Sequence, residues 1–238
     1  MKKARRVSCR AFKFDRIGFA DRMLLMKNEA IIRILALSDI HGNIKDIAAL
    51  ADVAQACDAI VLGGDITDFG GTEQAMAVLT ELDQFNIPVL GVPGNCDSPE
   101  VANVLRQRGG NIIDSPVKIG GVFFSGLPYR VSDAFAVKTA ERIAADDDLE
   151  KVVLVSHEPA WGTNVDLQAS TYHKGSQAVR SFIELNQPAL AVSGHIHEAC
   201  GTDQLGDTLL VNPGAFRNGR YAIIDITEES VHAKLHWL

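Results

Sequence analysis

No apolar run in the sequence approaches the roughly 20 consecutive residues that a helix needs to cross a bilayer, so no membrane-spanning helix is expected. The four cysteines, Cys9, Cys57, Cys96 and Cys200, stand far apart and form no Cys-x-x-Cys pair. That spacing excludes a zinc ribbon or a disulfide framework and fits a reducing, cytoplasmic compartment. There is no Pro/Ser-rich linker, no internal repeat and, near the start, no apolar core of a secretory signal. What remains is a globular composition, 47% hydrophobic and 22% charged over 238 residues. A chain of that length buries roughly 70 to 75% of the surface it exposes when unfolded, enough for one sizeable core.

The net charge of −7 conceals a division: residues 1–28 hold nine basic side chains against Asp15 and Asp21, or +7, and the rest of the chain carries −14. A body that acidic repels polyanions at long range, so a nucleic-acid partner is disfavoured. The basic arm reads as an extension, disordered or upstream of a true start at Met26 rather than Met1, or as a frayed amphipathic helix presenting Phe12, Ile17, Phe19, Leu24 and Leu25. One domain is expected over residues 29–238.

From residue 31 the pattern alternates strands with helices. The apolar run Ile31 to Leu37 reads as a buried strand, followed by a helix over Asn43 to Ala56. Ala59 to Leu62 and Pro88 to Val92 read as further strands, separated by a helix to Phe85 that Thr72 would cap. Successive βα units imply parallel strands. Later, Val117 to Ile119 and Val122 to Ser125 flank Gly120-Gly121 as a hairpin. A helix at Ala134 to Ala145, a solvated Asp146 to Asp148 loop, a strand at Val152 to Ser156, a helix at Gly175 to Asn186 and a strand at Ala189 to Ser193 follow. Strands near Leu209 to Val211, Tyr221 to Ile226 and Ser230 to Leu238 close the chain; in the last, Val231, Ala233, Leu235 and Trp237 form the face expected to be buried.

Chemistry-bearing residues sit where strands end. Asp39 and His41, Asp65, Asn95, His157, and His195 with His197 follow five separate strands, and ligands of open α/β sheets bind beyond those carboxyl ends. Imidazole mixed with carboxylate and amide oxygen suits divalent transition metals: Mn first, with Fe, Ni, Co or Zn as other choices. Seven such side chains exceed the needs of one ion, so two ions bridged by a carboxylate are expected. Gly63, Gly64, Gly94 and Gly194 would let the backbone approach closely.

Taken in order, Asp-x-His, Gly-Gly-Asp, Gly-Asn-x-Asp, His and Gly-His-x-His over residues 39–197 resemble the calcineurin-like metallophosphoesterase superfamily. The stretches Gly162 to Asp166, His173 to Ser176 and Asn212-Pro213-Gly214 are similar to a bacterial and archaeal branch. The resemblance implies a four-layer α-β-β-α sandwich with two mixed sheets. It further implies one ion on Asp39, His41, Asp65 and His197, a second on Asp65, Asn95, His157 and His195, and phosphoester hydrolysis by a metal-bridging hydroxide. Many relatives carry histidine where this chain has Cys96, between Asn95 and Asp97. Losing that proton donor points to phosphodiesters rather than phosphomonoesters; Cys96 is either a weaker donor or an inert buried residue. His173 and Ser176 are the candidate contacts to a small phosphoester, Asp68 a partner for a ligand histidine, and Asp97 and Glu158 turn-setting residues. A non-catalytic binding or scaffold protein on the same fold, a phosphomonoesterase and a nuclease are the alternatives.

Overall fold

A computed structural model of the chain describes residues 31–145, 151–169 and 171–238. The basic arm and the Asp146 to Asp148 run lie outside the described residues. Strand β1 (Ile32–Leu37) is buried along its whole length, with Leu35 and Leu37 in one apolar cluster and Ile32, Ile34 and Ala36 in another. That division follows from the two-residue period of a strand covered on both faces. The chain then makes a 3₁₀ turn, Ile47–Leu50, and a short helix α1 (Ala51–Ala54), then β2 (Ala59–Leu62), α2 (Thr72–Asp83), β3 (Val89–Gly91) and α3 (Pro99–Gln107). Strands β1, β2 and β3 are parallel neighbours, as the βα rhythm requires.

The expected helix over Asn43 to Ala56 is shorter in the structure. Asn43 bonds through its amide to Asp46, holding a turn where helix was anticipated. Helix α2 is entered from Gly71, with no side-chain cap, so Thr72 does not serve as expected. Helix α3 was not anticipated, although Ser98 followed by Pro99 is a helix-start signature.

The second half begins with the hairpin of β4 (Val117–Ile119) and β5 (Val122–Leu127), turned by Gly120 and Gly121 at φ 54° and 82°. Helix α4 (Asp133–Ala144), β6 (Lys151–Ser156), a small hairpin of β7 (Leu167–Gln168) with β8 (Tyr172–His173), α5 (Gln177–Asn186) and β9 (Leu190–Val192) follow. Strands β10 (Gly201–Leu205), β11 (Thr208–Asn212), β12 (Arg220–Ile226) and β13 (Val231–Trp237) complete the domain.

Two mixed sheets result, ordered β13-β12-β1-β2-β3 and β10-β11-β9-β6-β5-β4. They meet face to face through Ile34, Val61, Phe124, Val153, Val192 and Ile224. The outer face of the first is covered by the 3₁₀ turn, α2 and α3, and that of the second by α4 and α5. These are the four layers expected from the resemblance. Trp237 departs from expectation: it lies at the end of β13, opposite Arg220, and is 75% exposed, while Val231, Ala233 and Leu235 pack on the core. Among the described residues no helix is long and apolar enough to cross a membrane.

Candidate metal centre

The ends of β1, β2, β3, β6 and β9 converge on one rim, and backbone bonds continue from the sheets into the loops that carry the site. Asp39 and His41 donate their N–H groups to the carbonyls of Gly64 and Asp65 at 3.0 Å, and Gly194 donates to the His157 carbonyl at 3.1 Å. Asp39, His41, Asp65 and His195 all take left-handed backbone, at φ 53°, 49°, 50° and 69°. Each such residue costs roughly 1–2 kcal/mol, a local strain borne where side chains must be aimed inward. Glycine is required beside them. A Cβ at Gly64 would stand 2.4 Å from His157 Nδ1, and one at Gly94 would stand 2.2 Å from Asp65 Oδ1.

Asp39, Asp65 and His157 are buried, and their ligand atoms lie within 4.8 Å of one another. Asp39, His41 and His197 form a second such group, and His41, Asp65 and Cys96 a third. Asp39, His41 and Asp65 each belong to two of the groups. His195 is held differently: its N–H donates to the Asp39 carboxylate at 3.1 Å, and its ring stands edge-on to that of His157, with centroids 4.9 Å apart.

The ligand atoms crowd against one another. His157 Nδ1 lies 2.8 Å from the Gly63 carbonyl, which can only accept, so Nδ1 carries the hydrogen. Its Nε2 then points a lone pair at Asn95 Oδ1, 2.9 Å away, and at Asp65 Oδ1, 3.4 Å away. Asn95 turns its own donor to Cys96 Sγ at 3.1 Å. On the other side, His41 Nε2 and His197 Nε2 are 3.4 Å apart, with Asp39 Oδ1 3.1 Å from the latter. Such crowding of ligand atoms suits a cation, and three oxygen donors with four imidazoles fit divalent transition ions.

The electrostatics follow the same crowding. Burial by itself would raise the Asp65 carboxyl, but the His157 ring and the Cys96 N–H outweigh it and hold it at about 2. Burial opposes charge on His157 as well, yet the Asp65 and Asp39 carboxylates move that imidazole upward. Burial and the neighbouring His157 push His195 downward. The Cys96 thiol is pushed up to about 12, by burial and then by Asp65, so the thiol stays protonated at neutral pH.

Surrounding groups brace the loops. Asp97 accepts the N–H groups of Ile66, Thr67 and Gly94 at 3.0, 2.7 and 2.8 Å, tying the loop after β2 to the loop after β3. Glu158 accepts the Arg130 N–H at 2.7 Å. Asp97 thus closes its own turn onto Gly94, as expected, whereas Glu158 ties its loop to the one after β5 instead of setting a local turn. Asp68 reaches within 3.4 Å of His41 Nδ1, but that buried nitrogen has no aligned hydrogen-bond partner. His173 and Ser176 make no hydrogen bond or ring contact with the seven clustered residues: His173 pairs with Asp166, and Ser176 Oγ accepts Val179 N–H as the cap of α5. The sequence reading missed Tyr129, whose ring lies 6.0 Å from those of both His157 and His195. Its signal was positional. β5 runs parallel to β6, so Pro128, Tyr129 and Arg130 follow a sixth strand end on the same rim.

Comparison with known proteins agrees with this arrangement. The family model described as calcineurin-like phosphoesterase matches residues 32–199. The chain belongs to the calcineurin-like phosphoesterase family. An uncharacterised protein of Methanocaldococcus jannaschii is 31% identical over 194 residues, covering 76% of this chain and 88% of that protein. Among solved structures, a dimetal phosphatase from Danio rerio superposes with a TM-score of 0.67 at 13% identity, over 88% of this chain and 97% of that one. An archaeal phosphodiesterase superposes with a TM-score of 0.50 at 14% identity, over 86% and 100%. At those identities the two structures bear on the fold alone, which they share with this calcineurin-like phosphoesterase.

Proposed function

We propose that the protein is a binuclear, metal-dependent phosphodiesterase acting on a small phosphoester. The observation that carries the reading is the crowding of ligand atoms, with His157 Nε2 against Asn95 Oδ1 and Asp65 Oδ1, and His197 Nε2 against Asp39 Oδ1 and His41 Nε2. One cation would rest on Asp39, His41, Asp65 and His197 and another on Asp65, Asn95, His157 and His195, with Mn the favoured ion. Bound there, divalent ions lower the pKa of water toward about 7 and offset charge on the phosphoryl oxygens. The chain's own part is to aim the donors. Gly63 holds the His157 tautomer through its carbonyl, and the left-handed loops keep Asp39 and Asp65 directed inward.

Preference for diesters rests on Cys96. A thiol held protonated and next to the Asp65 carboxylate is a poor acid for an alkoxide leaving group, and monoesters with such groups benefit most from an acid. A scaffold function is disfavoured because it gives no reason for strained ligand loops. The deciding experiment is hydrolysis of bis- and mono-p-nitrophenyl phosphate by the full chain, with chelator and then with Mn, Fe, Ni, Co or Zn. Diester cleavage that vanishes on chelation and returns with a divalent ion is expected. Equal rates with and without chelator would remove the metal reading, and faster monoester cleavage would remove the diester preference.

A further inference from the structure

The seven histidines fall into three groups. His41, His157, His195 and His197 line the centre. His232 and His236 lie on the edge strand β13, where His232 bonds to Ser230 and His236 stacks on Tyr221. His173 belongs to neither group, and its surroundings are built. Its Nδ1 is 2.7 Å from Asp166 Oδ1, and Asp166 is fully buried. That carboxylate also accepts the N–H groups of Thr163 at 2.9 Å and of Gly162 and Gly175 at 3.0 Å. A buried carboxylate with this many donors is fixed in place, and it directs Nδ1–H of the imidazole toward itself. The Trp161 ring, centroid 5.8 Å from that of His173, limits the tilt of the imidazole from one side. Nε2 makes no hydrogen bond to a described residue, and the side chain is 36% exposed.

The pair is tied to the centre. His173 stands opposite Leu167 in the β7–β8 hairpin, and β7 packs on the 3₁₀ turn His197–Ala199. The Asn212 amide, within 3.4 Å of the Val165 carbonyl and 3.0 Å of the Ile196 carbonyl, fastens the Asp166 turn to the loop between His195 and His197. An oriented imidazole with a spare nitrogen thus stands in a hairpin that packs on the His197–Ala199 turn, beside a centre whose own residue 96 is a thiol.

We propose that His173, positioned by Asp166, contacts the leaving group of the phosphodiester and protonates its departing oxygen, extending the range to diesters with poor leaving groups. This rests on the phosphodiesterase reading above. As water oxygen bonds to phosphorus, the bond from phosphorus to the leaving oxygen breaks, and that oxygen keeps the electron pair and takes the Nε2 proton. The proton lost by the attacking water restores the imidazolium. Asp166 balances the positive charge while it is present.

Two diesters separate this role from a structural one: bis-p-nitrophenyl phosphate, whose leaving group departs unaided, and diphenyl phosphate, whose phenol has a pKa of about 10. General acids contribute roughly 10²–10⁴-fold. His173→Gln should therefore cut kcat on diphenyl phosphate by about a hundredfold and on bis-p-nitrophenyl phosphate by less than about threefold. Asp166→Asn should divide the two substrates the same way, and free imidazole should restore part of the loss in His173→Ala. Ring-nitrogen NMR of metal-free protein should find His173 protonated at Nδ1 in the wild type and losing that preference in Asp166→Asn. Equal losses on both substrates, no loss on either, or an unchanged tautomer would overturn the assignment while leaving the metal reading intact. Failure of the wild type to cleave either diester with any metal would overturn both.

Discussion

The Nε2 atoms of His41 and His197 face one another across 3.4 Å, with Asp39 Oδ1 3.1 Å from the latter. A cation placed among them, Asp39 and Asp65 would draw on all of these ligand atoms at once, so binding should stabilise the fold through mass action. At a hundredfold excess over Kd the gain is about 2.7 kcal/mol. For a domain of this size that is a rise in Tm of roughly 5 to 10 °C. Calorimetry of chelated protein against protein with added Mn measures the shift. His197→Ala should shrink it, and a Tm indifferent to every divalent ion would remove the centre.

The Tyr129 ring lies 6.0 Å from the rings of both His157 and His195, and its loss should loosen the pair. Edge-to-face aromatic contacts are worth about 0.5–1.5 kcal/mol each. Tyr129→Ala should weaken metal binding by roughly three- to tenfold in a competition titration, whereas Tyr129→Phe should stay near wild type. A larger effect of the Phe variant would mean that the hydroxyl, rather than the ring, matters.

Asp97 holds two loops with one carboxylate, and each of its oxygens accepts at least one backbone N–H. In Asp97→Asn either choice of amide orientation turns a donor toward a donor. An unsatisfied buried group costs roughly 1–3 kcal/mol. Thermal unfolding should fall by several degrees, and metal affinity should fall with it because Asn95 sits in the displaced loop. An unchanged Tm would show that the loops hold without the carboxylate.

The thiol at Cys96, at about 12, exposes far less thiolate at pH 8 than a free cysteine. Only the thiolate reacts with iodoacetamide, so alkylation should be about a thousandfold slower than for an unperturbed thiol. Among the cysteines of the described residues, mass spectrometry of metal-free protein should find the half-buried Cys200 modified before Cys96. Cys96→Ser should change diester turnover little; a hundredfold loss would give the sulfur a chemical part.

Strand β1 is paired on one edge with β12 and on the other with β2, so its hydrogen bonds are complete without the residues that precede it. We propose residues 29–238 as one folding unit. Deleting residues 1–25 should leave Tm and turnover intact, and loss of soluble protein would show that the unit is larger.

The residues of the candidate centre were legible in the sequence because each lies within a few residues of the end of an apolar run, and strand ends of parallel units share one rim for topological reasons. The layers were legible for a related reason: two-residue and helical periods show which faces must be covered. Boundaries were less so. Asn43 to Asp46 read as helix but closes a side-chain turn, and Trp237 continued an apolar alternation past the point where the sheet offered anything to pack on. Helix α3 carried its signature in Ser98 and Pro99, yet its short length hid it among the loop residues of the site. What only the tertiary structure decided is which residues meet across large separations. Asp97 reaches Ile66 and Thr67, Tyr129 reaches His157 and His195, and Asn212 fastens the Asp166 turn to the His195 loop. These contacts obey no local period. They come from sheet order and crossover direction, which place loops side by side according to where their strands stand rather than when they occur in the chain.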